Sequence, residues 1–256
     1  MRIYAPVSIA LALFLSAIAR GDDLAAGISR DKIEISSNFT GADVVVFGAV
    51  ESDLGGALPA TEMRDVVIVI RSDQPYVATV RQKERVGPIW INREMRRFAG
   101  VPGFYFLAST SALKDIAKPD LLEQLELGLG NLALGPAPGS IGGPRSFREA
   151  IIRAKTNGGL YGEHQGGVSF LSGSLFRTTV ALPANVPTGN LKVLVYVFSQ
   201  GQVSSSNSMT LYVEKTDIER RLSELAHQWP VIFGFSAVLL AGLAGFLASL
   251  VFRERN

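Results

Sequence analysis

The chain has 256 residues, 47% of them hydrophobic, and no cysteine. Structural disulfides, thiolate metal sites, acylated cysteines and thioether-bound haem are therefore excluded. The net charge of +2 comes from the termini, because residues 20–229 carry 22 cations and 22 carboxylates, so the charge balance gives no support for nucleic-acid binding.

In chain order, an apolar run follows Arg2 and ends in Ala17-Ile18-Ala19, the small-x-small pattern of a signal peptidase site. Residues 1–19 are expected to be a secretory signal peptide. The 210 residues from 20 to 229 would then lie outside the cytoplasm, and they suffice for a real core, as one β domain or two.

Residues 20–110 read as a β-sandwich region. Ile33 and Ile35 alternate with polar residues, and residues 43–50 and 65–70 are β-branched runs. Residues 53–59 form a loop, and Asp73-Gln74-Pro75 a turn. Residues 76–81, 88–92 and 104–108 complete the short strands, an antiparallel set spaced as in a sandwich. Phe39, Tyr76, Trp90, Phe104 and Tyr105 are large enough to line a groove, although core packing accounts for most of them. Arg93, Arg96 and Arg97 beside Trp90 are the densest basic cluster and a candidate surface for an anionic ligand or partner; the plain alternative is solvated arginines.

Residues 111–159 form a helical and Gly/Pro-rich linker region. Thr110 or Ser111 could cap a helix, residues 119–125 read as helical with early acidic residues, and residues 134–144 are loop. Phe147, Ala150, Ile151 and Ala154 mark an amphipathic helix over 145–155, which Asn157-Gly158-Gly159 ends.

Residues 160–216 form a second β region, with strands expected at 168–171, 175–182, 191–198 and 208–214. The fold class is mainly β, with immunoglobulin-like or fibronectin-like sandwich regions, short helices and one C-terminal transmembrane helix. His164 lies in the glycine-rich stretch from Tyr161 to Gly167 and is the credible imidazole of the two histidines. No serine sits in a Gly-x-Ser-x-Gly elbow, and no glycine pair carries the lysine of a phosphate loop, so no catalytic residue, metal or cofactor is assigned.

Residues 217–230 form a juxtamembrane amphipathic helix, with Ile218, Leu222, Leu225 and Trp229 at helical spacing. Residues 231–252 contain no charge, and as a helix these 22 residues reach about 33 Å, enough to cross a hydrocarbon core. Arg253 and Arg255 favour a cytoplasmic tail over 253–256. Ala237, Ala241, Gly245 and Ser249 form a stripe of small residues on which a second helix could pack. The expected location is the bacterial inner membrane, single-pass, with the N-terminal region periplasmic.

The layout, together with Asn38-Phe39-Thr40-Gly41-Ala42-Asp43-Val44-Val45-Val46-Phe47-Gly48-Ala49 and Pro183-Ala184-Asn185-Val186-Pro187-Thr188-Gly189-Asn190, resembles a family of uncharacterised predicted transmembrane proteins of alphaproteobacteria. The resemblance covers nearly the whole chain. It implies a signal, a β-rich periplasmic body and a C-terminal span, and it transfers no catalytic residue. Members encoded near permeases of the sulfite or sulfonate exporter type imply an accessory role beside a transporter.

Two functions follow as expectations. The first is a non-enzymatic accessory or interaction protein, whose partners are the lipid bilayer and a membrane protein packed on the span. The alternative is a periplasmic small-ligand-binding or hydrolytic domain using the loop around His164.

Overall fold

Residues 65–70, Asp-Val-Val-Ile-Val-Ile, carry β-branched side chains at consecutive positions, which only a strand covered on both faces can bury. The computed structural model describes residues 23–51, 64–141, 143 and 145–216, together with 234, 238–239 and 241–245 in the C-terminal apolar run. In it, Val66, Val67, Ile68, Val69 and Ile70 are all at most 2% exposed.

The chain begins with strands β1 (Asp23–Ile28), β2 (Lys32–Ile35), β3 (Gly41–Glu51), β4 (Arg64–Ser72), β5 (Tyr76–Val86), β6 (Ile89–Val101) and β7 (Tyr105–Ser109). Helices α1 (Leu113–Ile116) and α2 (Pro119–Gln124) follow, then a 3-10 turn at Leu129–Asn131, strand β8 (Gly135–Pro136) and helix α3 (Arg145–Asn157). Strands β9 (Tyr161–Gln165), β10 (Ser169–Phe170), β11 (Leu175–Pro183), β12 (Gly189–Ser199) and β13 (Gln202–Lys215) complete the described fold. It is mainly β with few short helices.

Three sheets form, in the orders β1-β3-β11-β10, β2-β13-β12-β4-β7-β9 and β5-β6-β8. The first two share one core. Alternate residues of β12 (Leu191, Val193, Val195, Val197) meet Val66, Ile68 and Ile70 of β4, and they face Val44, Val46, Phe176 and Val180 of the four-stranded sheet. The other face of the six-stranded sheet presents Val67, Val69, Tyr105 and Leu107. These pack against Leu113, Leu122, Leu127, Phe147 and Ile151 from the helical segment, and against Phe98 and Val101 from β6. A layer of helices and hairpin thus covers β4 from outside.

This arrangement changes the sequence-based division of the chain. Val46 of β3 stands opposite Thr178 of β11, and Ile68 of β4 opposite Val195 of β12. Strands from 20–110 and 160–216 therefore build the same sheets. Residues 111–159 form the outer layer of the second core rather than a spacer between domains. Among the described residues the pairs within 23–110 (β1–β3, β4–β7 and β5–β6) are antiparallel as expected, whereas β2–β13 and β7–β9, which join that region to later strands, are parallel.

The expected capping hydroxyls are used elsewhere. Thr110 Oγ1 donates to Asp65 at 2.6 Å and Ser111 Oγ donates to the same carboxylate at 2.8 Å, so Ala112 precedes α1 without a side-chain cap. Pro119 and Asp120 do open α2 as expected. At the end of α3, Gly159 takes φ +70 and Leu160 N–H donates to Lys155 C=O at 2.9 Å, the left-handed exit that glycine makes cheap. The signal peptide (1–19), the loop at 53–59, the juxtamembrane helix (217–230), most of the span (231–252) and the tail (253–256) lie outside the described residues. Among the described residues no helix is long and apolar enough to cross a membrane.

Two buried phenols tie the second core together. Tyr105 Oη donates to Glu126 C=O and accepts from Gly128 N–H, both at 2.9 Å, and Tyr161 Oη donates to Pro102 C=O at 2.8 Å. Burial pushes both phenols well above their ordinary value of 10.0. The folded protein holds these protons where the unfolded chain releases them, so stability is complete below about pH 10 and falls as pH rises beyond it. Urea titrations at pH 9, 10.5 and 11.5 should show a falling midpoint. The fall should be shallower in Tyr105→Phe and Tyr161→Phe; equal slopes in all three proteins would contradict it.

Candidate functional site

The β5–β6 hairpin is exposed along most of its length. The chain reverses at Gly87-Pro88, where Gly87 takes φ +61 at the first central position, the pattern of a type II′ hairpin turn. Arg85 Nε donates to Gly87 C=O at 3.1 Å and braces that turn.

Register sorts the side chains into two faces, because paired residues of antiparallel strands point the same way. Ala78 pairs with Phe98, Val80 with Arg96, Gln82 with Glu94, Glu84 with Ile91 and Val86 with Ile89. On this inner face Ala78, Val80 and Phe98 rest on the second core, and Arg96 is ion-paired to Glu94. The outer face carries Arg81, Lys83, Arg85 and Arg97 with Trp90 and Met95, all exposed, and no carboxylate. Trp90 is 66% exposed and Met95 56%, while Val86 and Ile89 stand open at the tip. The hairpin, residues 76–101, holds six cations and two carboxylates, a net +4, so the remainder of residues 20–229 carries −4.

Of the five aromatics expected to serve mostly the core, Trp90 projects into solvent, while Phe104 and Tyr105 take core positions at no more than 1% exposed. Of the three arginines grouped with Trp90, only Arg97 is placed on its face. Arg96 turns to the opposite face, and Arg93 is the extra residue of a bulge, since Gln82 stands opposite Glu94 and Lys83 opposite Asn92. Sequence reading missed Arg81, Lys83, Arg85 and Met95. The legible signal was the cations at every second position from 81 to 85, which a strand must place on one face.

His164 stands elsewhere, exposed on β9 at an edge of the six-stranded sheet, where it pairs with Ala108. Its imidazole makes no hydrogen bond among the described residues. The neighbouring Glu163 accepts from Leu129 N–H at 3.2 Å and from Gln165 Nε2 at 2.6 Å. The glycines after it serve a crossing between sheets. Gly166 takes φ +81, and a Cβ at Gly167 would sit 2.8 Å from the His164 ring. Gly167 C=O accepts from Thr178 Oγ1 at 2.8 Å, which ties the crossing to β11.

A cleft of about 310 Å³ opens beside the β4–β5 turn, lined by Ser72, Tyr76, Lys155, Asn185, Thr188 and Asn190, and it does not include His164. Lys155 Nζ lies 4.9 Å from the centre of the Tyr76 ring. Among the described residues no group of three or more His, Asp or Glu is placed to hold a metal. Ala241 and Gly245 of the small-residue stripe lie in the described helical residues 241–245, whereas Ala237 and Ser249 lie outside the described residues.

A family model described as "Putative transmembrane protein (Alph_Pro_TM)" matches residues 23–254. The chain belongs to this family. Membership associates the chain with a membrane, and the matched residues run from β1 through the C-terminal apolar stretch. No match appears among curated proteins. Guanidinium and ammonium groups on one face with an exposed indole are the side-chain chemistry that suits an anionic partner.

Proposed function

We propose that the chain is a membrane-anchored periplasmic interaction protein without catalytic activity. Residues 1–19 direct export, residues 231–252 hold the body at the inner membrane, and 253–256 face the cytoplasm. The outer face of the hairpin is the contact surface. An accessory role beside a transporter, with the stripe at Ala237, Ala241, Gly245 and Ser249 packing on a neighbouring helix, belongs to the same reading. So does an immunoglobulin-like or fibronectin-like character of the body, which two sheets facing across one core support. The observation that carries the proposal is the carboxylate-free face of four cations with Trp90 exposed at its tip end.

The alternative, a ligand-binding or hydrolytic loop at His164, has less support. The histidine is exposed and its side chain has no hydrogen-bond partner among the described residues. A photo-reactive residue at position 90 of the full chain, activated in intact cells, should give a discrete adduct, to a protein or to phospholipid, that is lost with Arg81→Glu/Arg85→Glu. Absence of any adduct at 90, with His164→Ala abolishing the cellular phenotype, would reverse the preference.

A further inference from the structure

We propose that the outer face of the β5–β6 hairpin rests on the anionic phospholipid surface of the bilayer that anchors the chain, with Trp90 in the headgroup layer. This deepens the preceding reading and depends on residues 231–252 crossing that bilayer.

The first support is the chemistry of the face. Arg81, Lys83, Arg85 and Arg97 stand on it with no carboxylate among them, and Trp90 is exposed at the tip end of the row, opposite Arg85. Cations above an apolar edge, with an indole at the boundary, are what a membrane-surface element presents. At the tip, Val86 and Ile89 open on the inner face and Trp90 on the outer, so apolar groups surround the turn on both sides with the cations behind them. That shape is a wedge.

The second support is charge sorting. The hairpin carries +4 and the remainder of residues 20–229 carries −4, so an anionic plane attracts the hairpin and repels the rest, which orients the body.

The third support is reach. Fifteen residues, 216–230, separate Lys215 from the apolar run, and they extend to at most about 50 Å. A strand of 11 residues, the length of β5, measures about 36 Å. Leu191 stands opposite both Ser72 and Leu211, so β13 leaves the sheet at the end where β4 departs toward the hairpin. The base of the hairpin therefore starts beside the chain's exit toward its anchor.

The test uses the full chain with Trp229→Phe, which leaves Trp90 as the sole indole of the two. The protein is reconstituted in vesicles of phosphatidylcholine, with or without phosphatidylglycerol, containing brominated acyl chains that quench tryptophan. Emission from Trp90 should be blue-shifted and quenched in the anionic vesicles only. It should recover in 1 M salt, where the screening length is about 3 Å. Arg81→Gln/Lys83→Gln should lower the ratio of docked to free hairpin about thirtyfold. Quenching that is absent, or equal in neutral and anionic vesicles, overturns the proposal. Absent quenching together with a protein adduct at position 90 in cells would overturn the lipid contact and leave the contact-surface reading standing. Release of the chain by alkaline carbonate would overturn the anchor and this placement together.

Discussion

Ile68→Ala is expected to lower the free energy of unfolding by about 4 kcal/mol. Ile68 is 0% exposed, stands opposite Val195 on one side and Ala108 on the other, and packs in the core between the sheets. Its strand is covered on both faces, so the surrounding residues have little freedom to collapse into the space left by the lost carbons. Against a typical total of about 5–15 kcal/mol, such a loss leaves a marginal protein. Val203→Ala, on the 36% exposed Val203 of β13, is the control and should change stability by under about 1 kcal/mol. Urea unfolding followed by far-ultraviolet circular dichroism measures both. A loss below about 1 kcal/mol at Ile68 would contradict a shared core built from both halves of the chain.

Tyr105→Phe should cost about 2–3 kcal/mol, although it removes a single oxygen. That oxygen accepts from Gly128 N–H and donates to Glu126 C=O, and the tyrosine is 0% exposed. Without it a buried donor and a part-buried acceptor lose their partner. Glu126 takes φ +53, a left-handed conformation that a non-glycine residue adopts only when its surroundings hold it. Hydrogen exchange at residues 126–128 should therefore accelerate more than exchange in β4. Tyr161→Phe orphans only the Pro102 carbonyl and should cost about half as much. Equal losses from the two substitutions would show that the phenol at 105 does not bridge the two groups.

Several strands were legible because their signal is local. β4 announced itself by consecutive β-branched residues, and β11 and β12 by strict alternation, which is also how they are buried. β1 and β9 gave no such signal. Asp23-Leu24-Ala25-Ala26-Gly27-Ile28 is rich in small residues, and it becomes a strand by pairing along β3, where Gly27 leaves room for the Phe47 ring. Tyr161-Gly162-Glu163-His164-Gln165 reads as a glycine-rich loop, yet β7 organises it as a parallel edge strand, and Phe106 occupies the space a side chain at Gly162 would need. In both cases the partner strand, remote in the chain, overrides weak local preference.

The candidate site divides in the same way. Trp90 and Arg97 were recognisable from their neighbourhood, because chain proximity happened to agree with the face they share. Arg96 was grouped with them by proximity and is separated from them by one step of strand alternation. Arg81, Lys83 and Arg85 join Trp90 only through the register across the Gly87-Pro88 turn and the bulge at Arg93.

By itself, the amino-acid order settled hydropathy, charge and strand periodicity: the apolar stretches at 1–19 and 231–252, the absence of cysteine, and the segments able to form strands. Those are properties of consecutive residues, and a short window contains them. Only the tertiary structure decided that β3 seeks β11 and β4 seeks β12, that residues 111–159 close the second core, and that one hairpin face collects cations without a carboxylate. Strand pairing joins residues far apart in the chain, and a shift of one residue in register would send every side chain to the opposite face.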